Sequence, residues 1–218
     1  MVKILSIETS GKVCSVALLS DNELLASYNL YYGNKHDKFC AEFVRRILSD
    51  NDIDLADLSA IAISIGPGSF TGLRIGSAVA KGLSFDDAPP LIAVPTLSAL
   101  ANHFSKYLSL MQVMQDIIVI VPSHSDIVYF QKFTYRGEPL SEPSLSSLED
   151  LRSEILMHNL VVVSSTDLSS FFSDVLYFEE CLDAGLIGKY AFSLYSENRF
   201  TLSSDLTPMY VQDFVPKL

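Results

Sequence analysis

The sequence predicts an α/β fold of two lobes, each organised as β-β-β-α-β-α. Three observations carry that expectation. Short apolar runs with strand period alternate with amphipathic helical stretches. The same order of elements occurs twice, beginning at Ile4 and again at Ile117. A chain of 218 residues, 49% hydrophobic and only 19% charged, also has the apolar material for such cores.

The first copy opens with the apolar strand Ile4–Ile7. The turn Glu8-Thr9-Ser10-Gly11-Lys12 leads to a second strand, Val13–Leu19, and Asp21-Asn22 turns the chain into a third, Leu24–Tyr28. His36–Leu48 carries Phe39, Cys40, Phe43, Val44, Ile47 and Leu48 on one helical stripe, with Asn34 as its cap and Asp37 in its first turn. The strand Ala60–Ile65 and the helix Leu73–Leu83 complete it.

The second copy runs from the strand Ile117–Val121 through the turn Pro122-Ser123-His124-Ser125-Asp126 to the strand Ile127–Thr134. Arg136-Gly137 is a tight turn, and Glu138–Leu148, with two prolines and several serines, reads as a surface loop. Leu148–His158 is a helix, Leu160–Ser164 a buried strand, Asp167–Asp174 a short helix, Val175–Glu179 a strand and Asp183–Phe200 a closing helix. Pro89-Pro90 and Pro95 interrupt the chain, which puts the lobe junction near residues 100–110. The lobes are then residues 1–105 and 106–218, with the final helix open to packing back on the first. The repeat is one of element order and not of residues.

Composition excludes several classes. A formal net charge of −11 lacks the basic stripe that an unaided nucleic-acid binder needs. No apolar run reaches the roughly 18 residues of a membrane span, and Lys3 and Glu8 interrupt the N-terminus too early for a signal peptide. Cys14, Cys40 and Cys181 have no metal-ligand spacing and read as buried free thiols of a cytoplasmic protein.

The most unusual stretch is Gly66-Pro67-Gly68-Ser69-Phe70-Thr71-Gly72-Leu73-Arg74-Ile75-Gly76, set between a strand and a helix. Glycines here let another surface approach the main chain, and the helix N-terminus suits an anion or a carbonyl. It is not a phosphate-binding P-loop, because Leu73 and Arg74 stand where Lys-Ser/Thr would be required. Ser69 reads as the cap of the following helix. His36, His103, His124 and His158 never fall into His-x-x-x-His spacing, which excludes a two-histidine metal helix, and His36 reads as a surface or capping residue.

Two β-β-β-α-β-α copies are also the organisation of the actin-like (ASKHA, ribonuclease H-like) ATPases and sugar kinases. In those folds the first hairpin turn of each lobe grips nucleotide phosphates through glycine and small hydroxyl residues, with a carboxylate nearby. Glu8, Thr9, Ser10 and Gly11 partly meet that need and are the nucleotide-contact candidates. The second turn opens with Pro122, which lacks an N–H, and Ser164-Ser165-Thr166 replaces the Gly-Gly pair that would lie against an adenine. A complete ATP site within this chain is not expected.

With these residues assembled, the chain resembles the bacterial TsaB (YeaZ) family, non-catalytic relatives of the TsaD enzymes. The resemblance spans most of the chain and is strongest over Ile4–Leu19 and Ala60–Leu83, where Gly66–Gly76 matches the family signature without substitution. Pro95-Thr96-Leu97 and Pro208-Met209-Tyr210-Val211 are weaker landmarks. Glu8 departs from the family's usual aspartate, and Pro122-Ser123-His124 from its Asp-Ala-Arg-like turn.

The resemblance implies a scaffold and activator subunit with no catalytic residue or metal of its own, serving threonylcarbamoyl modification of the adenosine next to the anticodon in tRNA. It implies pairing with TsaD and TsaE, a homodimer when alone, contact with tRNA only through the complex, and no cofactor beyond ATP or ADP at the complex interface. The helix behind the loop presents Gly72, Gly76 and Ala80 at spacing four, flanked by Ser77 and Ala78. That smooth face, with Arg74 and the Phe39/Phe43 edge of the preceding helix, is the expected partner interface. Arg74 opposes the helix dipole, so an anion is expected to answer it. An autonomous ATPase or sugar kinase and a peptidase are the alternatives. The second turn weighs against the kinase, and the lack of an assembled nucleophile–base pair against the peptidase.

Overall fold

The computed structural model describes residues 1–31, 35–84 and 89–211. Asn34, the expected cap of the first helix, lies outside them. The chain contains ten strands and five α-helices among the described residues. It divides into two compact units, residues 1–96 with 182–208, and residues 97–181 with 209–218.

In the first unit β1 (Lys3–Glu8), β2 (Cys14–Ser20) and β3 (Glu23–Leu30) form an antiparallel meander. Asp21 and Asn22 turn β2 into β3 with φ of 46° and 70°, the left-handed pair that Asp and Asn tolerate in a two-residue hairpin. β4 (Ala60–Gly66) and β5 (Leu91–Pro95) continue the sheet in parallel on the other side of β1, giving the order β3-β2-β1-β4-β5.

Alternation splits the residues of β1 between two faces. Leu5 and Ile7 meet Cys40, Val44 and Ile47 of α1 (His36–Asp50) and Ala80 of α2 (Phe70–Leu83) in one core. Ser6, on the opposite face, donates to Ala184 O at 2.6 Å, and Leu19 packs with Ala184. The side chain of Asp183 caps that helix, α5 (Ala184–Ser196), by accepting from Leu186 N at 2.9 Å. Asp183→Ala is expected to lower stability by about 1 kcal/mol, with most of the loss restored by Asn, as read from chemical denaturation midpoints.

The second unit repeats the plan. β6 (Ile117–His124), β7 (Ile127–Phe133) and β8 (Ser144–Ser147) form a meander, and β9 (Val161–Ser164) and β10 (Tyr177–Glu179) run parallel beyond β6. The order β10-β9-β6-β7-β8 is the first sheet's order with every strand in its counterpart's place. Ile118, Ile120 and Val162 pack on Leu151 and Ile155 of α4 (Leu148–His158). On β10 the Phe178 ring lies tilted against Phe104 of α3 (Thr96–Leu110), their centroids 5.2 Å apart. Each unit thus takes a helix from the other half of the chain: α3 follows β5 but belongs almost wholly to the second unit, and α5 follows β10 but packs on the first sheet.

That exchange moves the boundary from the expected 105/106 to Thr96/Leu97. The prolines at 89, 90 and 95 bound β5 without breaking the fold, and α3 starts directly after it, with Leu97, Leu100, Ala101, Phe104 and Leu108 buried at helical spacing. Glu138–Leu148 is not wholly loop. Ser144–Ser147 pairs with β7, and its four half-buried residues carry no alternation that would reveal it.

Asp167–Asp174 is irregular where a helix was expected. The Asp167 carboxylate accepts from Ser169 N at 2.9 Å and Ser169 Oγ at 2.6 Å, a local turn that competes with helix. Its apolar residues still reach the core, where Phe172 is buried.

Candidate functional site

The stretch Gly66–Gly76 begins where β4 ends. Gly66 has φ of +100°, a conformation that L side chains resist, and it turns the chain toward α2. Ser69 caps α2, its Oγ accepting from Gly72 N at 3.2 Å, as its position predicts.

The small face of α2 is not a free surface. A Cβ at Gly68 would lie 2.5 Å from Ser10 O, one at Gly72 1.9 Å from Thr9 O, and one at Gly76 2.3 Å from Thr9 Oγ1. Ser69 N also donates to Ser10 O at 2.7 Å. The glycines at spacing four therefore seat the β1–β2 turn of the same unit against the helix backbone. Gly72, Gly76, Ser77 and Ala80 are buried, which corrects their assignment to a partner interface. The smoothness is real, but its occupant is the chain's own hairpin.

Outward on α2 are Thr71, Arg74, Ala78 and Gly82, with Ile75 and Val79 half-buried. Phe39 and Phe43 on α1 are likewise half-buried, their rings 5.7 Å apart, and Phe43 stacks on Tyr28 at 5.8 Å. The Arg74 guanidinium lies 3.8 Å from the centroid of Phe70, so an aromatic face answers the cation that opposes the helix dipole. Of the expected interface set, Arg74, Phe39 and Phe43 retain exposure.

Glu8, Thr9, Ser10 and Gly11 do meet in one turn, at the end of β1. Glu8 is fully buried. Its Oε1 accepts a short hydrogen bond from Ser10 N and one of 3.3 Å from Gly11 N. Burial pushes its pKa above the usual carboxylate value, against the pull of the hydrogen bonding at Ser10 and Gly11. Its Oε2, Thr9 Oγ1 and Ser64 Oγ are buried without a hydrogen-bond partner among the described residues. Thr96 Oγ1 approaches Ser10 Oγ at 3.4 Å. Ser64 and Thr96 are the members that sequence reasoning missed. Ser64 follows Ile63, which pairs with Ile7, so the parallel register that brings it beside Glu8 exists only in the sheet.

In this turn the Ser10 and Gly11 N–H groups, the kind of donors that would serve a phosphate, are given to Glu8 Oε1. The second unit's first turn differs from the expected one. The expected turn Pro122–Asp126 is only Ser125-Asp126, with Ser125 at φ 54°, because β6 continues through Pro122 to His124. Pro122 pairs with Val128 beyond the end of β9, whose last residue, Ser164, pairs with Ile120, so a proline is tolerated there. Ser164-Ser165-Thr166 is tied inward, with Thr166 O accepting from the Tyr177 hydroxyl at 2.7 Å and Ser165 N donating to Ile120 O at 3.1 Å.

His36 starts α1 but is buried, a correction to its surface reading. Cys14 and Cys40 are buried neighbours: their mutual hydrogen bond pulls the Cys14 thiol down, and with burial pushes Cys40 up. Cys181 is exposed. Among the described residues no His, Cys, Asp and Glu group could hold a metal, and no helix is long and apolar enough to cross a membrane.

Known proteins resemble this chain in sequence and in fold. The profile of the TsaD family, tRNA N6-adenosine threonylcarbamoyltransferase, matches residues 31–142, just over half of the chain. The tRNA threonylcarbamoyladenosine biosynthesis protein TsaB of Escherichia coli is 39% identical over 101 residues, 46% of this chain and 43% of that protein. TsaB of Bacillus subtilis is 38% identical over 49% of this chain and 48% of its own length. The chain thus matches about half the length of these curated relatives. Among solved structures, YeaZ from Pseudomonas aeruginosa superimposes with a TM-score of 0.77 at 23% identity, covering 96% of this chain and all of that one. An inorganic polyphosphate/ATP-glucomannokinase from Arthrobacter reaches 0.56 at 10% identity over 90% of this chain and 100% of its own. The two five-stranded sheets of identical order are thus the duplicated actin-like fold, and the chain belongs to the TsaD-type family as a TsaB/YeaZ member.

Proposed function

We propose that this chain is a non-catalytic scaffold and activator subunit in tRNA threonylcarbamoyladenosine biosynthesis, acting in the cytoplasm by pairing with a TsaD-type catalytic subunit and with TsaE. The observation that carries this reading is the intact Gly66–Gly76 block in a fold whose phosphate turn is already satisfied by its own side chain. A protein that keeps the architecture of a nucleotide-binding enzyme but fills its grip internally is suited to holding a partner. The chain itself then needs no cofactor, and any ATP or ADP of the assembly is held outside the Glu8–Gly11 turn or by the partner.

The docking surface in this reading is the outward side of the α1/α2 layer, with Phe39, Phe43, Arg74, Ile75 and Val79. A second copy of the chain would use the same side when no partner is present. The apolar part supplies burial and Arg74 orientation. Contact with tRNA comes only through the complex, consistent with the net charge of −11.

Reconstitution with TsaD, TsaE, ATP and tRNA tests the proposal. Omission of this chain is expected to lower modified tRNA at least tenfold, read by nucleoside mass spectrometry. Arg74→Glu, on an exposed position, is expected to weaken co-purification with TsaD while the isolated variant keeps its circular dichroism spectrum. Equal yields of modified tRNA with and without the chain would refute the role, and ATP turnover by the isolated chain would favour the kinase reading.

A further inference from the structure

We propose that Cys14 and Cys40 form a dithiol that a hydroperoxide converts to a disulfide, stapling α1 to β2 within the first unit. Both side chains are buried, at 0% and 1% exposure, and they belong to one core with Leu5, Ile7, Val44 and Ile47. Cys14 is the first residue of β2 and enters that core with Val16 and Leu18, its neighbours on the same strand face. Cys40 lies on the inward side of α1, one turn before Val44. The two thiols share a hydrogen bond, so the sulfurs are already neighbours. Cys14 also follows the irregular stretch Gly11–Val13, and Cys40 lies close to the start of its helix. The shift that disulfide geometry asks for therefore falls near element ends, where backbone moves most easily.

The step balances with the hydroperoxide as the sole co-reactant. Cys14 loses its proton and attacks one peroxide oxygen; the O–O bond breaks, and the leaving oxygen takes the proton to depart as water or an alcohol. Cys40 then loses its proton and attacks the sulfenic sulfur of Cys14. The S–O bond breaks, and the hydroxyl leaves with that proton as water. Two thiols are thus oxidised and one peroxide is reduced. The order follows from the unlike thiols: the hydrogen bond from Cys40 pulls Cys14 below the ordinary value, and the same bond with burial pushes Cys40 up. Burial sets the rate, because the oxidant meets Cys14 only when α1 lifts from the sheet. Once formed, the bond holds α1 down until a thiol reductant reverses it. The proposal is independent of the pairing proposed above, since the isolated chain tests it.

The test uses the full chain with Cys181→Ser, which removes the exposed thiol and its cross-links between copies. After treatment with hydrogen peroxide, denaturing alkylation is expected to find no reactive thiol, and intact mass to show the loss of two hydrogens. A digest should contain the Cys14–Cys40 cross-linked peptide, and dithiothreitol should restore both thiols. The oxidised chain should keep its circular dichroism spectrum and unfold at a higher urea midpoint than the reduced one. Cys40→Ala in the same background should instead hold a Cys14 sulfenic acid that dimedone traps. The proposal is overturned by two thiols that remain alkylatable, by sulfinic acid without a cross-link, or by a cross-link only between copies or only in unfolded chain. A urea midpoint no higher than that of the reduced chain overturns the staple. Should Cys40→Ala not fold, the peroxide-treated Cys181→Ser chain still decides the outcome.

Discussion

Gly72→Ala is expected to destabilise the chain by about 3 kcal/mol or more, at the upper end of overpacking effects. The added Cβ would stand 1.9 Å from Thr9 O, a main-chain atom that cannot turn aside. Thr9 in turn is fixed between β1 and the loop, so relief requires α2 to lift from the hairpin and expose Leu73 and Ala80, both now buried. Helix propensity alone predicts the opposite, since alanine exceeds glycine by up to about 1 kcal/mol in a helix interior. Gly82→Ala is the control. It lies on the same helix, is exposed, and has nothing within 4 Å of its would-be Cβ among the described residues. It is expected to gain about 0.5 kcal/mol. Denaturation midpoints of the two variants should therefore move in opposite directions; a neutral or stabilising Gly72→Ala would refute the clamping of the hairpin by α2.

Glu8→Ala is expected to cost about 3 kcal/mol, because it strips an acceptor from two turn N–H groups and leaves a void. Glu8→Gln should stay within about 1 kcal/mol of the native chain, since it preserves shape and the accepting oxygen. The two also differ in their response to pH. Burial raises the folded-state pKa of Glu8, so the folded chain holds that proton more tightly than the unfolded one. The resulting stability is fully present below the ordinary carboxylate pKa of about 4.5 and is lost as pH rises through the folded value. The native chain should therefore lose stability relative to Glu8→Gln as pH is raised across that window. Parallel stability curves for the two proteins would show that Glu8 is ionised at ordinary cost.

Much of the fold was legible because its signals are local. The stripe Cys40, Val44 and Ile47 fixes α1, and Leu148–His158 needs only its periodicity and Ser147, whose hydroxyl accepts from Asp150 N at 3.1 Å. β5, β8 and α3 were not legible for physical reasons. β5 is a five-residue strand bounded by prolines, β8 is a polar strand defined by its pairing with β7, and α3 follows a proline that looks like a stop. None of them announces its partner. In the candidate site the residue types of Glu8–Gly11 were visible, yet what the carboxyl group touches depended on a turn folding back on itself.

The sequence by itself determined the duplicated order of elements, the family block at Gly66–Gly76 and the poor fit of the second turn to a phosphate, because each rests on periodicity, glycine and proline along a few residues. Only the tertiary structure decided which surface the small face of α2 meets, how Glu8 is satisfied, and to which unit α3 and α5 belong. Those outcomes depend on approach between segments far apart in the chain: Thr9 against Gly72, and Ser6 against Ala184. A glycine reads the same whether it admits a partner's helix or the chain's own carbonyl, and the difference lies in the packing.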